Sequence, residues 1–173
     1  MTERNTTQAP ISLRLPQAED GYRLHQLVAA CPPLDPNSVY CNLLQCSHFA
    51  DTGVAAEKDG ELVGFISGYI PPQTPDALFI WQVAVHENGR GQGLGKRMLK
   101  AILAREVCRD VRFVHTTITG DNKASWGLFG SLARDFGADM QREPHFERDR
   151  HFGGRHDTEY LLRIGPFEQA AAT

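Results

Sequence analysis

Three glycines at alternate positions, Gly91, Gly93 and Gly95, follow an apolar segment that ends at Val85 and precede a segment with apolar residues at helical spacing. Glycine lets a backbone approach a bound group closely. The first N–H groups of a helix have no intrahelical acceptor and lie at the positive end of its dipole, so they bind anions. The spacing therefore predicts a loop for a phosphate-bearing cofactor, with a plain strand-to-helix turn as the structural alternative.

Two common nucleotide-binding patterns do not fit this loop. A Rossmann fingerprint that begins at Gly91 needs its third glycine at the position of Lys96. A P-loop that ends at the same lysine needs glycine where Arg90 stands and serine or threonine where Arg97 stands. A third pattern is met in full by residues 90–95: arginine or glutamine, two residues of any type, glycine, any residue, then glycine or alanine.

A second set of residues has the chemistry to bind and deprotonate a small amine. Carboxylates pair with ammonium groups, aromatic faces attract cations, and imidazole titrates near neutral pH. The candidates are Asp35, Tyr40, Trp81, His156 and Glu159. Each has a structural alternative, as a turn carboxylate after the prolines, a packed aromatic side chain or a solvated loop residue.

Metal ligation is not predicted. The histidines near the end of the chain have the spacing of no compact ligand motif: His145, His151 and His156. The cysteines include no Cys-x-x-Cys pair, and we interpret them as small core or surface residues: Cys31, Cys41, Cys46 and Cys108.

The elements that position these residues fit one domain of 173 residues. Hydrophobic residues make up 41% and charged residues 23%, close to globular usage. The net charge of −3 argues against a general nucleic-acid binder, and no apolar run is long enough for a membrane span or a signal peptide. We expect a soluble, cytoplasmic protein with a disordered lead over residues 1–10, one domain over 11–167 and a frayed tail over 168–173.

Hydrophobic periodicity and turn signals predict the element order β-α-α-β-β-β-α-β-α-β-β. Asp59-Gly60 is a strong signal for a short hairpin between the second and third strands. The strands are predicted over residues 11–15, 53–57, 62–70, 78–85, 111–119, 138–143 and 158–164. The helices are predicted over 19–30, from an N-cap at Asn37 or Ser38 to about Phe49, from the glycine loop to about Leu103, and over 122–136.

The pattern at residues 90–95 resembles the loop that binds the diphosphate of acyl-coenzyme A in the GNAT superfamily of N-acetyltransferases. The predicted element order is also that of the superfamily, so the resemblance covers nearly the whole chain. It implies an α/β (α+β) fold whose central seven-stranded sheet is mixed but mostly antiparallel, is flanked by about four helices and has strands 4 and 5 splayed apart. It also implies acetyl-CoA as the co-substrate, without a metal.

By the same resemblance, pantetheine would lie in the gap between the splayed strands. The backbone groups of Val83 and Val85 would bind pantetheine and the acetyl carbonyl, and these amides would stabilise the negative charge that develops during acyl transfer. Asn122 would contact coenzyme A. The diphosphate would be held by Arg90, by Lys96 and by the backbone amides of Gln92, Gly93, Leu94 and Gly95.

One position departs from the superfamily pattern. Many members carry a tyrosine seven positions after the asparagine, where it protonates the leaving thiolate, and this chain has Phe129 there. A phenyl ring donates no proton, so the general acid lies elsewhere or is unnecessary. The thiolate of coenzyme A is a tolerable leaving group near neutral pH, given a thiol pKa of ~8.5.

Four longer segments resemble one group within the superfamily, the L-2,4-diaminobutyrate acetyltransferases: residues 31–35, 79–85, 119–126 and 153–159. The resemblance implies acetylation of the γ-amine of L-2,4-diaminobutyrate in a ternary complex, a step of ectoine biosynthesis under osmotic stress. Asp35 and Glu159 would hold the ammonium groups, and Trp81 and Tyr40 would line the pocket. Either His156 or Glu159, directly or through a water molecule, would accept the proton.

Other functions stay open at this point. The same fold could act on a polyamine or an aminoglycoside, it could bind acyl-CoA without catalysis, or it could acetylate proteins. The second helix carries more apolar side chains than one small core needs (Val39, Leu43 and Leu44), so we expect a symmetric homodimer.

Overall fold

The computed structural model describes residues 9–169 and contains every predicted element in the predicted order. The strands are β1 (Ser12–Arg14), β2 (Val54–Lys58), β3 (Glu61–Tyr69), β4 (Ala77–Val85), β5 (Phe113–Thr119), β6 (Met140–Phe146) and β7 (Glu159–Ile164). The helices are α1 (Asp20–Ala29), α2 (Val39–Ser47), α3 (Leu94–Leu103) and α4 (Lys123–Phe136). Asp59 and Gly60 both have positive φ, as the predicted hairpin turn between β2 and β3 requires.

The strands form one sheet in the order β1-β2-β3-β4-β5-β7-β6. Only the β4–β5 pair is parallel, and the other pairs are antiparallel. This topology confirms the mixed, mostly antiparallel seven-stranded fold. Strand β6 extends past the predicted end at residue 143 and includes Pro144, which an edge strand tolerates because its outer N–H positions need no partner.

Alternating side chains of the sheet face two different helix pairs. Ala55, Phe65 and Ala84 are buried with side chains of α1 and α2. Val54 and Ile66 are buried with side chains of α3 and α4 in the larger cluster. Because successive strand residues point to opposite faces, α1 and α2 cover one face and α3 and α4 cover the other.

Strands β4 and β5 separate part of the way along their length. Their pairing runs from Ala77 with Phe113 to Ile80 with Thr116, where the Thr116 hydroxyl donates to the Ile80 carbonyl at 2.9 Å. A β-bulge follows at once, since Trp81 has no partner in the β3–β4 register. Bulges bend a strand, so the remainder of β4 diverges from β5 and opens a wedge in the sheet.

The predicted ends of the chain fall mostly outside the described residues. Residues 1–8 of the predicted lead and 170–173 of the predicted tail are among those not described. Gln169 lies against the body of the protein, where its side-chain amide donates to the carbonyls of Cys108 and Val111 at 2.8 and 3.2 Å. Within residues 9–169, no helix has the length and apolar character needed to cross a membrane.

Candidate active site

The wedge between β4 and β5 opens into a cleft of about 1310 Å³. Its walls are the ends of the two strands, the glycine loop and the start of α4, together with two further loops. We name these the proline loop, residues 31–38, and the β6–β7 loop, residues 147–158. The cleft thus joins the predicted cofactor side and the predicted acceptor side of the site.

The glycine loop has the backbone shape of an anion site. Gly91 and Gly93 have φ values of +79° and +63°, which residues with a Cβ rarely adopt. Gly93 is the N-cap of α3 and supplies no capping side chain, and the first helical bond runs from Arg97 N–H to the Gly93 carbonyl. The backbone N–H groups before Arg97, in the first turn of α3, therefore lack intrahelical acceptors and are available to a diphosphate.

Gly95 has a different structural role from Gly93. A Cβ placed on Gly93 would meet no heavy atom within 4 Å, whereas one on Gly95 would lie 3.2 Å from the Leu128 side chain. Gly95 therefore lets α3 pack closely against α4, and both glycines also line the cleft.

The structure does not bring every predicted cofactor residue to the cleft. Arg90 lines it, and its Nε donates to the Val85 carbonyl at 3.3 Å. Gln92 lines a separate depression beside the β2–β3 hairpin instead. The Lys96 ammonium lies 2.9 Å from the Ser131 hydroxyl and 3.1 Å from the Asp135 carboxylate. Lys96 therefore forms an ion pair that joins α3 to α4.

The start of α4 forms the opposite wall of the cleft. Asn122 is the N-cap of the helix, and its side-chain oxygen accepts from Ser125 N–H at 3.1 Å. The same asparagine lines the cleft, so its amide nitrogen is available to a ligand. Phe129 also lines the cleft and is only 2% exposed, so an apolar ring occupies the position where the resemblance implies a tyrosine.

The backbone of β4 presents polar groups to the open side of the wedge. His86 N–H donates to the Val63 carbonyl on β3 at 2.9 Å. Backbone groups alternate in direction along an antiparallel strand, so those of Val83 and Val85 point away from β3. This is the orientation that the predicted amide contacts require.

Cys31 is a residue of this wall that the sequence did not single out. The residue is 4% exposed and lies on the cleft, close to Arg90 and to the backbone of Val85. Burial raises the pKa of the thiol, while nearby Arg90 and the Val85 N–H act in the opposite direction. No spacing pattern marks such a residue, because its neighbours come from a different element.

Three predicted acceptor residues meet at one point. The Nε2 atom of His156 lies 3.8 Å from a carboxylate oxygen of Asp35 and 3.8 Å from one of Glu159. The other ring nitrogen, Nδ1, lies 2.7 Å from the backbone carbonyl of Asp157. A carbonyl only accepts, so Nδ1 carries a proton and Nε2 of the neutral ring presents its lone pair to the two carboxylates. An ammonium group placed there would find three acceptors.

The two carboxylates differ in environment. The Asp35 side chain is 83% exposed, whereas that of Glu159 is 20% exposed and its Oε2 has no hydrogen-bond partner. Burial raises the pKa of Glu159, and the neighbouring His156 acts against this shift. A buried acceptor without a partner in a cleft is suited to receive a hydrogen bond, or a proton, from a ligand.

The two predicted aromatic residues lie in different places. Trp81 is 43% exposed, lines the cleft at the bulge of β4 and packs edge-on against Tyr69 at 6.3 Å between ring centroids. Tyr40 is 71% exposed on α2 and is not among the lining residues of the cleft. The structure therefore brings Trp81 to the site and leaves Tyr40 outside the cleft of one chain.

The other two histidines of the β6–β7 region, His145 and His151, do not line the cleft. His151 Nδ1 accepts from Glu147 N–H at 2.7 Å, which closes a turn of the loop. Among the described residues, no group of three or more His, Cys, Asp or Glu side chains is arranged to hold a metal ion.

Comparisons with known proteins identify the relatives of this chain. Residues 21–133 match the model of the acetyltransferase (GNAT) family. The L-2,4-diaminobutyric acid acetyltransferase of Methylotuvimicrobium alcaliphilum is 56% identical over 162 residues, which cover 94% of both chains. The enzyme of the same description from Chromohalobacter salexigens is 50% identical over 157 residues, which cover 90% of this chain and 81% of that one.

A solved structure extends the likeness to the fold. Diaminobutyrate acetyltransferase from Paenibacillus lautus, in complex with its substrate L-2,4-diaminobutyric acid and coenzyme A, has a TM-score of 0.88 and 37% identity. The match covers 94% of this chain and 98% of that chain. The chain therefore belongs to the GNAT acetyltransferase family and, within it, to the L-2,4-diaminobutyric acid acetyltransferases.

Proposed function

We propose that this chain transfers the acetyl group of acetyl-CoA to the γ-amine of L-2,4-diaminobutyrate, giving N4-acetyl-L-2,4-diaminobutyrate and coenzyme A. The observation that carries the proposal is the meeting of Asp35, His156 and Glu159 in a cleft that also contains a GNAT cofactor loop. A diamine with two ammonium groups needs such a concentration of acceptors. The names and bound ligands of the relatives support the same substrate.

Residues in different parts of the cleft would have different roles. The first N–H groups of α3 and the Arg90 guanidinium would hold the diphosphate, and the backbone of Val83 would bind the acetyl carbonyl. Asp35 and Glu159 would hold the ammonium groups, and Trp81 would provide a cation–π surface. Acetyl-CoA, when bound, supplies an activated acyl group with a thiolate leaving group.

Proton removal from the γ-ammonium is the task of the chain itself. The nitrogen attacks only after it loses a proton, because its lone pair is otherwise in the N–H bond. Glu159 Oε2 has no hydrogen-bond partner, and His156 Nε2 has a free lone pair in the neutral ring, so either atom can accept this proton.

Incubation of the purified protein with acetyl-CoA and single amines tests the proposal. We expect thiol release with L-2,4-diaminobutyrate, and acetylation at N4 in the NMR spectrum of the product. Spermidine, an aminoglycoside and a lysine-containing peptide are the comparison substrates. Thiol release greatest with one of these would assign another amine, and release with none would leave a non-catalytic acyl-CoA-binding module.

The biological setting follows from the substrate. N4-acetyl-L-2,4-diaminobutyrate is a precursor of ectoine, so we propose a role in making this compatible solute in the cytoplasm under osmotic stress. Genes for a diaminobutyrate aminotransferase and an ectoine synthase beside this gene would support that role. We also propose that residues 11–167 form one catalytic domain.

We further propose a homodimer. Tyr22, Tyr40 and Leu43 are large apolar side chains that are 60%, 71% and 37% exposed on α1 and α2. Burial of such side chains against a second copy would remove them from water. Light scattering should give twice the chain mass of 19.2 kDa, and a mass of one chain at micromolar concentration would contradict the dimer.

A further inference from the structure

Gln82 links the proline loop to strand β4. Its Nε2 donates to the backbone carbonyl of Asp35 at 3.2 Å, and its Oε1 accepts from the Asn37 side chain at 3.4 Å. The carbonyl of Asn37 in turn lies 3.0 Å from Nδ1 of His25 on α1. One glutamine side chain therefore holds the loop on both sides of Pro36.

The local shape of β4 places this side chain. Ala84, two residues along the strand, is buried with α1 and α2, so Gln82 points toward the same face of the sheet. The proline loop follows α1 and lies on that face. The bulge at Trp81 comes directly before Gln82, and both side chains line the cleft.

The Asp35 carboxylate has little else to fix its position. It is 83% exposed, and its one ion-pair distance within residues 9–169 is the 3.8 Å separation from His156. An exposed carboxylate held only by its own side-chain torsions would sample several orientations. Its reach toward the cleft thus depends on where the backbone of the loop is anchored.

We propose that Gln82 is a positioning residue for the acceptor amine: it sets the distance between Asp35 and the part of β4 that binds the acetyl group. The inference rests on the proposed function, in which Asp35 holds an ammonium group. Val83, the residue after Gln82, would bind the acetyl carbonyl. Strand β4 would therefore hold the acetyl group and, through Gln82, also fix the position of Asp35. Reacting groups held at the right separation react faster, and a displacement of about 1 Å is costly.

The glutamine amide is chemically specific for this link, because it donates to a carbonyl and accepts from an amide at once. Methionine has similar length and neither group. Glutamate keeps the acceptor for Asn37 but sets a negative oxygen against the Asp35 carbonyl. Asparagine has both groups on a shorter stem. These three variants separate hydrogen bonding from volume and from reach.

The test measures the KM of each substrate and the Kd of L-2,4-diaminobutyrate for the coenzyme A-bound enzyme by calorimetry. For Gln82→Met we expect a three- to fivefold rise in the KM and Kd of the diamine, no larger than the effect of Asp35→Ala and on the order of one hydrogen bond of ~1 kcal/mol. The KM of acetyl-CoA should stay within about twofold. Gln82→Glu and Gln82→Asn should also raise the KM and Kd of the diamine. Gln141→Met, the same change on the exposed strand β6, is the control and should leave all constants unchanged.

A double-mutant cycle with Asp35→Ala decides whether Gln82 acts through Asp35. In the Asp35→Ala background, Gln82→Met should add less than a twofold effect, because the group that it positions is absent. An unchanged diamine KM and Kd in folded Gln82→Met, an equal rise in the KM of acetyl-CoA, or full additivity would each overturn the inference.

The outcomes also separate this inference from the proposed function. If Asp35→Ala weakens diamine binding and Gln82→Met does not, the acceptor site stands and only the positioning role fails. If Asp35→Ala itself leaves diamine binding unchanged, the role of Asp35 and the positioning inference both fail, while thiol release with L-2,4-diaminobutyrate still decides the proposed function. If Gln82→Met does not fold, Gln82→Asn, which keeps the amide, takes its place in the cycle.

Discussion

The Nε2 atom of His156 lies 3.8 Å from Oε1 of Glu159, and both side chains line the cleft between β4 and β5. Because Nδ1 of the same ring is bonded to a carbonyl oxygen, the lone pair of the neutral ring faces the carboxylate. Two carboxylates beside Nε2 of this ring attract a cation. The geometry therefore favours an ammonium substrate and gives its proton two neighbouring acceptors.

Replacement of Glu159 tests the base. Burial raises the pKa of this carboxyl, so its ionised form, the form that accepts a proton, appears at a higher pH than for an ordinary glutamate of pKa ~4.3. We expect wild-type kcat to fall as the pH decreases through the raised pKa, and Glu159→Gln to lower kcat about 10–150-fold and remove that dependence. The pH–rate profiles of both proteins measure this.

His156→Ala is the competing variant, and His151→Ala is its control, because His151 lies in the same loop with only a local contact. The control should retain wild-type rates. If His156→Ala abolishes turnover while Glu159→Gln leaves the rate intact, the base is His156 and the assignment of Glu159 is wrong.

Glu159 should also lower the stability of the folded protein at neutral pH. A carboxyl whose pKa is raised by folding is destabilising when ionised, so the effect is absent below the unfolded pKa of ~4.3 and complete above the folded pKa. Glu159→Gln should therefore raise Tm at pH 8, with a smaller gain near pH 4. Equal Tm differences at the two pH values would contradict this prediction.

The two acceptor carboxylates should differ in the size of their effects. Asp35 is 83% exposed and solvent screens its charge, so Asp35→Ala should raise the KM of the diamine by about fivefold. Glu159 is 20% exposed, so Glu159→Ala should weaken kcat/KM by about 10–150-fold. Steady-state kinetics with Asp149→Asn as an unaffected loop control measures both. A larger effect at Asp35 would reverse the order expected from exposure.

The left-handed backbone of Gly93 predicts a specific loss of acetyl-CoA binding. Valine at φ +63° would cost ~1–2 kcal/mol of strain and displace the first N–H groups of α3, so the KM of acetyl-CoA should rise while that of the diamine changes little. Asparagine tolerates this region, so Gly93→Asn should be the milder variant.

Gly127→Ala is the matched control, because a Cβ there meets nothing within 4 Å in α4. It should stabilise the helix by roughly 0.5–1 kcal/mol without a kinetic effect. Unchanged acetyl-CoA kinetics in a folded Gly93→Val protein would refute the placement of the diphosphate.

The buried Asp20 should make stability depend on acid pH. Its side chain is 3% exposed and lies 2.7 Å from Arg14 and 3.1 Å from Arg23, and the bond from Arg14 holds the pKa of Asp20 below its usual range. The contribution is present above the unfolded pKa of ~3.9 and is lost as the pH falls through the lower folded value. Asp20→Asn should cost about 1.5–3 kcal/mol in urea unfolding at pH 7, because both arginines are partly exposed and keep Glu57 as a partner.

The control for Asp20 is Glu106→Gln, which removes an exposed ion pair with Arg109. Its effect should be below about 0.5 kcal/mol. If the two variants lose equal stability, burial does not set the strength of the Asp20 interaction.

The helices, strands and turns of this protein could be predicted from its sequence, because caps, turn residues and hydrophobic periodicity act over a few residues. Ser38 caps α2 and the Asp59-Gly60 turn closes the hairpin, both as predicted, and α4 begins at Lys123, one residue after its predicted start. The glycine spacing likewise predicted the loop that leads into α3. Within this short range, backbone sterics and unsatisfied N–H groups leave few choices.

Only the tertiary structure decided which of the candidate side chains meet. It joined Asp35, His156 and Glu159 across more than a hundred positions of sequence, and it directed Lys96 to Asp135 and Tyr40 away from the cleft. It also showed Gln82 and Cys31 in the site. Such encounters depend on the splay of β4 from β5 and on the packing of loops over the sheet, and these long-range contacts leave no local pattern in the sequence.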